Sequence, residues 1–477
     1  MKAWNDKLAA QWVKVSPRLL PFADAASAEL PLSKLLRLSL FQVSVAMAVV
    51  LLNGTLNRVM IVELGVPSIV VASMVSLPLL FAPLRAFIGF RSDTHRSALG
   101  WRRAPFIWIG SLLQFGGLAI MPFALILLSG DSQGGAWIGV TGAALAFLLV
   151  GAGLHTTQTA GLALATDLAS ADKRPRVVAF LYVMLLVGTV ASSFVFAALL
   201  ENFSQVRLIQ VIQGAAVVTV ALNVAALWKQ EPRRPSQLAE QANDNDFWTT
   251  WIKFSDLPRA RRTLVAVALG TAAFAMQDIL LEPYGGEVLH LSVGKTTSLT
   301  GWLAGGTLAG FIVAAHQLSR GFNTYRLASC GVLVGLLAFP CVILSAGVGS
   351  TLLFQTGAAL IGFGTGLFSV STLTASMAIT GTANAGVALG AWGAVQATAA
   401  GLAIAAGGAI KDIVARLGTD GTLGPAFLDP VASYNAVYHI EIILLFATLA
   451  AVGPLAGNSQ IKPDARISKF GLAEFPG

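Results

Sequence analysis

Charge is what this chain has least of. Of its 477 residues, 11% are charged and 55% hydrophobic, where a soluble domain carries about a quarter charged residues. Mean hydropathy is +0.73. So little polar material excludes a soluble globular domain and implies a membrane protein. Cysteine is almost missing as well. The two present, Cys330 and Cys341, share one apolar run; on a helix they stand about 16 Å apart along the axis, too far for a disulfide, and they carry no information about redox compartment. Histidine occurs five times, which leaves few imidazoles for a metal. No Asp-x-x-x-Asp cluster falls inside an apolar run, and carboxylates are how a prenyl transferase would hold magnesium and diphosphate. A catalytic reading of that kind fails on its own requirements, and the chain reads as no enzyme. No cleavable signal peptide is expected either, because the first apolar run starts near Leu38 after a polar, proline-containing stretch.

What the chain does have is apolar runs of about 20 residues, each long enough to cross roughly 30 Å of hydrocarbon. They predict about twelve membrane-spanning helices and an all-α polytopic membrane protein. The first half gives Leu38 to Met60, Ser68 to Phe90, Ala104 to Leu128, Ala136 to Ala165, Val177 to Leu200 and Leu208 to Leu227. The second gives Leu264 to Pro283, Thr300 to Leu318, Leu327 to Ala346, Leu352 to Leu373, Gly386 to Ile410 and Tyr434 to Val452. The net charge of +8 is not a nucleic-acid footprint. Most of the 31 Lys and Arg lie in alternate inter-helix segments and the two tails, so the positive-inside bias puts both termini in the cytoplasm.

Five regions follow. Residues 1–37 form a cytoplasmic N-terminal segment in which Trp4, Leu8, Trp12 and Val15 recur at helical spacing, as in a helix lying on the membrane surface; a disordered tail is the alternative. Residues 38–228 form a six-helix bundle, 229–263 a polar cytoplasmic linker, 264–456 a second six-helix bundle and 457–477 a cytoplasmic tail. Trp248, Trp251 and Ile252 in the linker suit a second interfacial helix.

Six helices, a linker and six more resemble the major facilitator superfamily, whose halves are parallel repeats around a central cavity. The loop after the second run, "GFRSDTHRSALGWRRAPF", resembles that superfamily's loop signature through Gly89, Asp93, Arg96, Gly100, Arg102 and Arg103, with extra residues between Asp93 and Gly100. Ordinary positive-inside topology explains the same basic residues. The loop after helix eight, "HQLSRGFNTYRLA", is a weaker echo. Asp167, in "ATDLASADKRPRVVAF", is placed to pair with Arg85 or Arg96 across the inner face.

Longer motifs are more specific. "FQVSVAMAVVLLNGTLNRVMIVELGVP", "GAGLHTTQTAGLALATDLA" and "QDILLEPYGGEVLHLSVGKTTSLTG" resemble the PucC and LhaA family of purple bacteria, the bacteriochlorophyll delivery branch of that superfamily. The resemblance implies a light-harvesting complex assembly factor that delivers bacteriochlorophyll, with carotenoid a further candidate pigment. The implied partners are light-harvesting antenna polypeptides, the reaction centre core complex and bacteriochlorophyll synthase, in the lipid bilayer of the photosynthetic inner membrane, with no nucleic acid. The segment "LPFADAASAELPLSKLLRLSLFQ" leans to the LhaA side and the core LH1 ring over the peripheral LH2 antenna. Two other readings stay open. One is a secondary transporter of a small solute or tetrapyrrole precursor; the other is an antenna scaffold that touches no pigment.

Two sets of residues are the site candidates. His155 is the one histidine well inside a run, among Gly151, Gly153, Ala160 and Gly161. An imidazole there suits either a ligand to pigment magnesium or polar contact between helices. Arg58 lies about 20 residues into helix one, and its repeat partner helix seven carries Asp278 and Glu282 at similar depth. Buried charges persist in lipid when paired, so Arg58 with Asp278 or Glu282 is expected to latch the outer side shut. In a transporter, Asp278 would instead bind a proton and Arg58 an anion; a helix boundary with local pairing is the third reading. Glu63 and Glu287 are expected in solvent. Gly362, Gly364 and Gly366 give small helix faces suited to close packing, with a pigment slot the alternative.

Overall fold

The computed structural model describes residues 25, 30–80, 101–129, 136–170, 173–231, 258–380 and 385–457. Among them no strand occurs and twelve helical stretches do. They are α1 (Leu32–Glu63), α2 (Ser68–Leu80), α3 (Ala104–Leu128), α4 (Ala136–Leu168), α5 (Arg174–Leu199), α6 (Gln205–Leu227), α7 (Pro258–Glu287), α8 (Val293–Ser319), α9 (Thr324–Val348), α10 (Thr351–Thr380), α11 (Ala385–Thr419) and α12 (Pro430–Gly457). Eleven are long and apolar enough to cross a membrane, and α2 is apolar over the shorter stretch Ser68–Leu79. Backbone amides have no water partner in hydrocarbon, so helices that satisfy them internally are what such a sequence can form.

Most helices run past their apolar stretch. α8 starts at Val293, seven residues before the apolar run, because the Ser292 side chain accepts the Lys295 N–H; Asn323 caps α9 and Ser204 caps α6 in the same manner. Such caps satisfy amides left over in the first turn. α9 ends where Gly349 takes φ 65°, the left-handed turn that favours glycine. α11 continues to Thr419, nine residues beyond the expected Ile410.

Two helices are broken. α1 is α-helical to Val49 and then π-helical over Val50–Leu56 and Val59–Glu63. α7 is α-helical over Pro258–Ala275, tightens to 3-10 over Met276–Ile279 and resumes over Leu281–Glu287. In the sequence both read as continuous apolar runs; irregular backbone of this kind is tolerated at membrane depth where protein or a cavity surrounds it.

Small residues set the packing. α3 and α4 meet through Gly110, Gly117 and Gly153, and a Cβ on Gly153 would lie 2.5 Å from the Gln114 nitrogen. α9 and α10 meet at Gly331 and Gly364. Gly362 and Gly366 face α8 backbone at Leu303 and Thr307, so the small faces expected there serve helix packing. Without a hydrophobic drive between helices in lipid, such close approach supplies the van der Waals attraction. The outward faces carry exposed Phe123, Leu337, Leu352 and Phe446, the lipid-facing belt of a multi-pass protein.

The halves join at one end of the bundle. α5 packs on α8, where a Cβ on Gly294 would lie 2.5 Å from the Ala197 carbonyl oxygen, and Ser193 Oγ donates to the Thr297 carbonyl at 2.5 Å. α2 packs on α11, where the Ile69 N–H donates to Asp412 Oδ2 at 2.8 Å. One hydrophobic core spans this seam, including Leu51, Leu56 and Met60 of α1 with Ile279, Leu280 and Tyr284 of α7.

Candidate functional site

Both breaks meet in the seam. α1 faces α7 where Asn57 Nδ2 donates to the Asp278 carbonyl at 3.3 Å and to the Asn53 carbonyl. Thr55 and Thr297 hydroxyls sit 3.2 Å apart. One turn on, Glu282 Oε1 accepts from Thr300 Oγ1 at 2.5 Å, in space left by Gly54, whose added Cβ would stand 2.5 Å from that same oxygen. A glycine at 54 is therefore what admits a carboxyl between the halves.

The expected latch takes another form. Arg58 is buried and its ion pair is with Glu63, one turn along its own helix, not with Asp278 or Glu282. The geometry explains the choice. The π-helical segment over Val59–Glu63 brings Glu63 back to Arg58, and Gly286 admits the guanidinium beside α7. Arg58 still ties the halves together, because Nη2 donates to the Leu291 carbonyl at 3.3 Å. Glu63 is thus half of an ion pair. Glu287 is not simply solvated either: Tyr434 donates to it at 2.8 Å and Lys411 approaches to 3.8 Å.

Behind the α7 break lies a carboxyl that the sequence analysis does not single out. Glu441 of α12 is fully buried and its Oε1 accepts the Gln277 backbone N–H at 2.6 Å. The 3-10 turn frees that amide from the regular helical pattern, and Glu441 satisfies it. Tyr284, Tyr434 and Tyr438 stack edge-to-face around the same region, with centroids 5.5 Å apart. Its sequence signal was one acid inside an otherwise apolar run.

A second polar node closes the opposite end of the first half. Asp167 Oδ2 accepts from Arg102 Nη2 and from Arg103 Nε, each at 3.0 Å. Glu231, just past α6, accepts the backbone N–H groups of Arg102 at 2.7 Å, Arg103 at 3.0 Å and Ala104 at 2.7 Å. An acid at a helix N-terminus both fills orphan donors and meets the positive end of the helix dipole. Arg102, Arg103 and Asp167 of the loop motif are therefore brought together. Gly89, Asp93, Arg96 and Gly100, with Arg85, lie outside the described residues, as do both expected interfacial helices. Glu231 falls in the polar linker, where no periodicity marks it.

His155 is buried in α4. Its small neighbours are occupied by protein: Gly151 abuts Pro78, Gly153 abuts Gln114, and a Cβ on Gly161 would stand 2.6 Å from the Phe41 ring. Neighbouring helices pack closely against those three glycines.

A membrane-facing groove of about 460 Å³ opens between α5 and α6 over α1. Val43, Met47, Val195, Phe196, Val211 and Leu222 give it an apolar wall, and its polar side chains are Ser192, Arg207 and Gln210. A Cβ on Gly214, in its lining, would meet nothing within 4 Å. Its volume falls within the range of small-molecule pockets.

Comparison with known proteins adds four findings. The family described as PUCC protein matches residues 55–460. The chain is 55% identical over 462 residues to a Rhodobacter capsulatus protein described as "Uncharacterized protein in puhA-bchM intergenic region", covering 96% of this chain and 97% of that one. It is 58% identical over 406 residues to "Protein PucC" of Rhodovulum sulfidophilum, covering 84% and 89%. Among solved structures, a bacterial homolog of the human lysosomal transporter Spinster, inward-facing and unoccupied, superposes with a TM-score of 0.66 at 15% identity, covering 89% of this chain and 96% of that one. That likeness is one of fold.

Proposed function

The chain belongs to the PUCC protein family, and from that premise we propose that it is a light-harvesting complex assembly factor that binds bacteriochlorophyll and passes it to nascent antenna polypeptides, the LH1 ring before LH2. It works by binding and handover, beside the reaction centre core complex and bacteriochlorophyll synthase, in the inner photosynthetic membrane with both termini cytoplasmic.

The observation that carries pigment binding is the groove between α5 and α6. Its apolar wall suits a hydrocarbon tail or a carotenoid. It opens toward lipid, so a bound molecule leaves sideways into a neighbouring antenna helix without passing between the halves. Magnesium prefers oxygen ligands, and Gln210 offers a side-chain carbonyl on that wall. His155 remains the imidazole alternative, enclosed by helices.

Protein purified in mild detergent from pigmented cells that lack antenna polypeptides tests the reading. Pigment extracted per polypeptide is expected in a reproducible stoichiometric amount. Gly214→Trp, at a position where an added Cβ meets nothing within 4 Å, should crowd the groove and exclude pigment, while His155→Leu should not. Wild-type protein free of pigment in such cells overturns the proposal.

The transporter reading is favoured by a different observation, the carboxyls at the α1 and α7 breaks between the halves. It requires solute uptake in proteoliposomes that Asp278→Asn abolishes.

A further inference from the structure

The α1–α7 crossing holds more oxygen than its donors can serve. Asn57 is 0% exposed and Gln277 1%, so neither amide has bulk water. The orientation of each is fixed by what its nitrogen does. Asn57 Nδ2 donates to the Asn53 and Asp278 carbonyls. Gln277 Nε2 donates to the Phe274 carbonyl at 3.2 Å and to Asp278 Oδ1. With both nitrogens committed, Asn57 Oδ1 and Gln277 Oε1 are left buried without a hydrogen-bond partner. An unsatisfied buried acceptor is costly, and both amides bond Asp278, Asn57 at its backbone carbonyl and Gln277 at its carboxylate.

Among the described residues no lysine or arginine is hydrogen-bonded to these two oxygens. Arg58, next to Asn57, is engaged through its two Nη atoms by Glu63 and the Leu291 carbonyl, and its Nε is buried without a partner. We propose that this crossing binds a small monovalent cation, of which sodium is the type, through Asn57 Oδ1, Gln277 Oε1 and the Asp278 carboxylate.

The chemistry fits in three respects. Amide and carboxylate oxygens are hard ligands suited to s-block ions. Among the described residues no group of three His, Cys, Asp or Glu is arranged to hold a metal, which argues against a transition ion. Met276–Ile279 is a helix break at membrane depth, where backbone carbonyls released from the helix commonly complete an alkali-ion shell. Asp278 is only partly buried, so an ion has a way in. Glu282 and Glu441 flank the crossing, each with one oxygen engaged, by Thr300 and by the Gln277 N–H, and one unpartnered; Tyr438 stands beside Glu441 on the same helix. A proton shared among these acids is the competing occupant. The inference does not depend on the pigment proposal.

Thermal unfolding of the purified chain in detergent, in sodium chloride and in N-methylglucamine chloride at equal ionic strength and fixed pH, is the test. Ligand binding to the folded state alone raises the midpoint with concentration. The expected result is a saturable rise of the wild-type midpoint in sodium that Asp278→Asn removes. Gln277→Leu serves the same purpose should Asp278→Asn not be recovered folded. Superimposed wild-type curves in the two salts overturn the proposal. So does a sodium-dependent rise that survives in the variants, and so does a midpoint that follows pH alone, which assigns the oxygens to protons.

Discussion

Replacing Glu231 should destabilise the first bundle more than replacing any exposed basic residue around it. Glu231 accepts three consecutive backbone N–H groups, from Arg102, Arg103 and Ala104, at 2.7–3.0 Å, and α3 has no side-chain cap of its own. A charge-assisted hydrogen bond contributes about 1.5–3 kcal/mol, and an acid at a helix N-terminus about 0.3–1 kcal/mol more. Water recovers part of that at this half-buried site, so Glu231→Ala is expected to cost about 2–3 kcal/mol. Glu231→Gln keeps one accepting oxygen and should cost roughly half as much. For a bundle of this size the Ala variant lowers the unfolding midpoint by roughly 5–10 °C, compared at a single heating rate because unfolding in detergent is commonly irreversible. Arg102→Ala breaks only an exposed pair with Asp167 and should cost less than about 1 kcal/mol. The reasoning fails if Glu231→Ala melts with wild type, or if Arg102→Ala melts as low as Glu231→Ala.

The seam gives three more. Gly294→Val places a methyl against the Ala197 carbonyl and should part the halves there, read as about tenfold faster thiol labelling of Thr297→Cys in a background without native cysteines; unchanged labelling would mean that the seam yields elsewhere. Arg58→Leu and Glu63→Gln should show a coupling of about 1 kcal/mol in a double-mutant cycle, whereas Arg58→Leu with Asp278→Leu should show no mutual rescue of folded yield, since Arg58 is paired within α1. Lys411→Met should lower the midpoint by an amount equivalent to about 2 kcal/mol, because Glu287 and Asp412 lose their nearby cation; a neutral result would show that Tyr434 alone suffices for Glu287.

Composition, run length and charge placement determined the class of this protein. Apolar runs of membrane length can satisfy their amides only as helices, which is why Ala104–Leu128 falls where hydropathy puts it. The superfamily echo and the longer motifs led to the family without coordinates, and Asp167 was legible as an inner-face acid for a basic partner, though Arg102 and Arg103 hold it where Arg85 or Arg96 was expected. Partner choice was not. Hydropathy reports depth, not direction, so it set Arg58 level with Asp278 but missed that π-helical turns carry Glu63 back to it. Capping by Glu231 and by Glu441 joins residues more than 120 positions apart, and no local pattern records such contacts. The glycines around His155 leave room for a flat ring or a helix, and only the fold shows α1, α2 and α3 packed against them. Side-chain size is written along the chain, whereas what fills the space it leaves is fixed by the elements that the fold brings alongside.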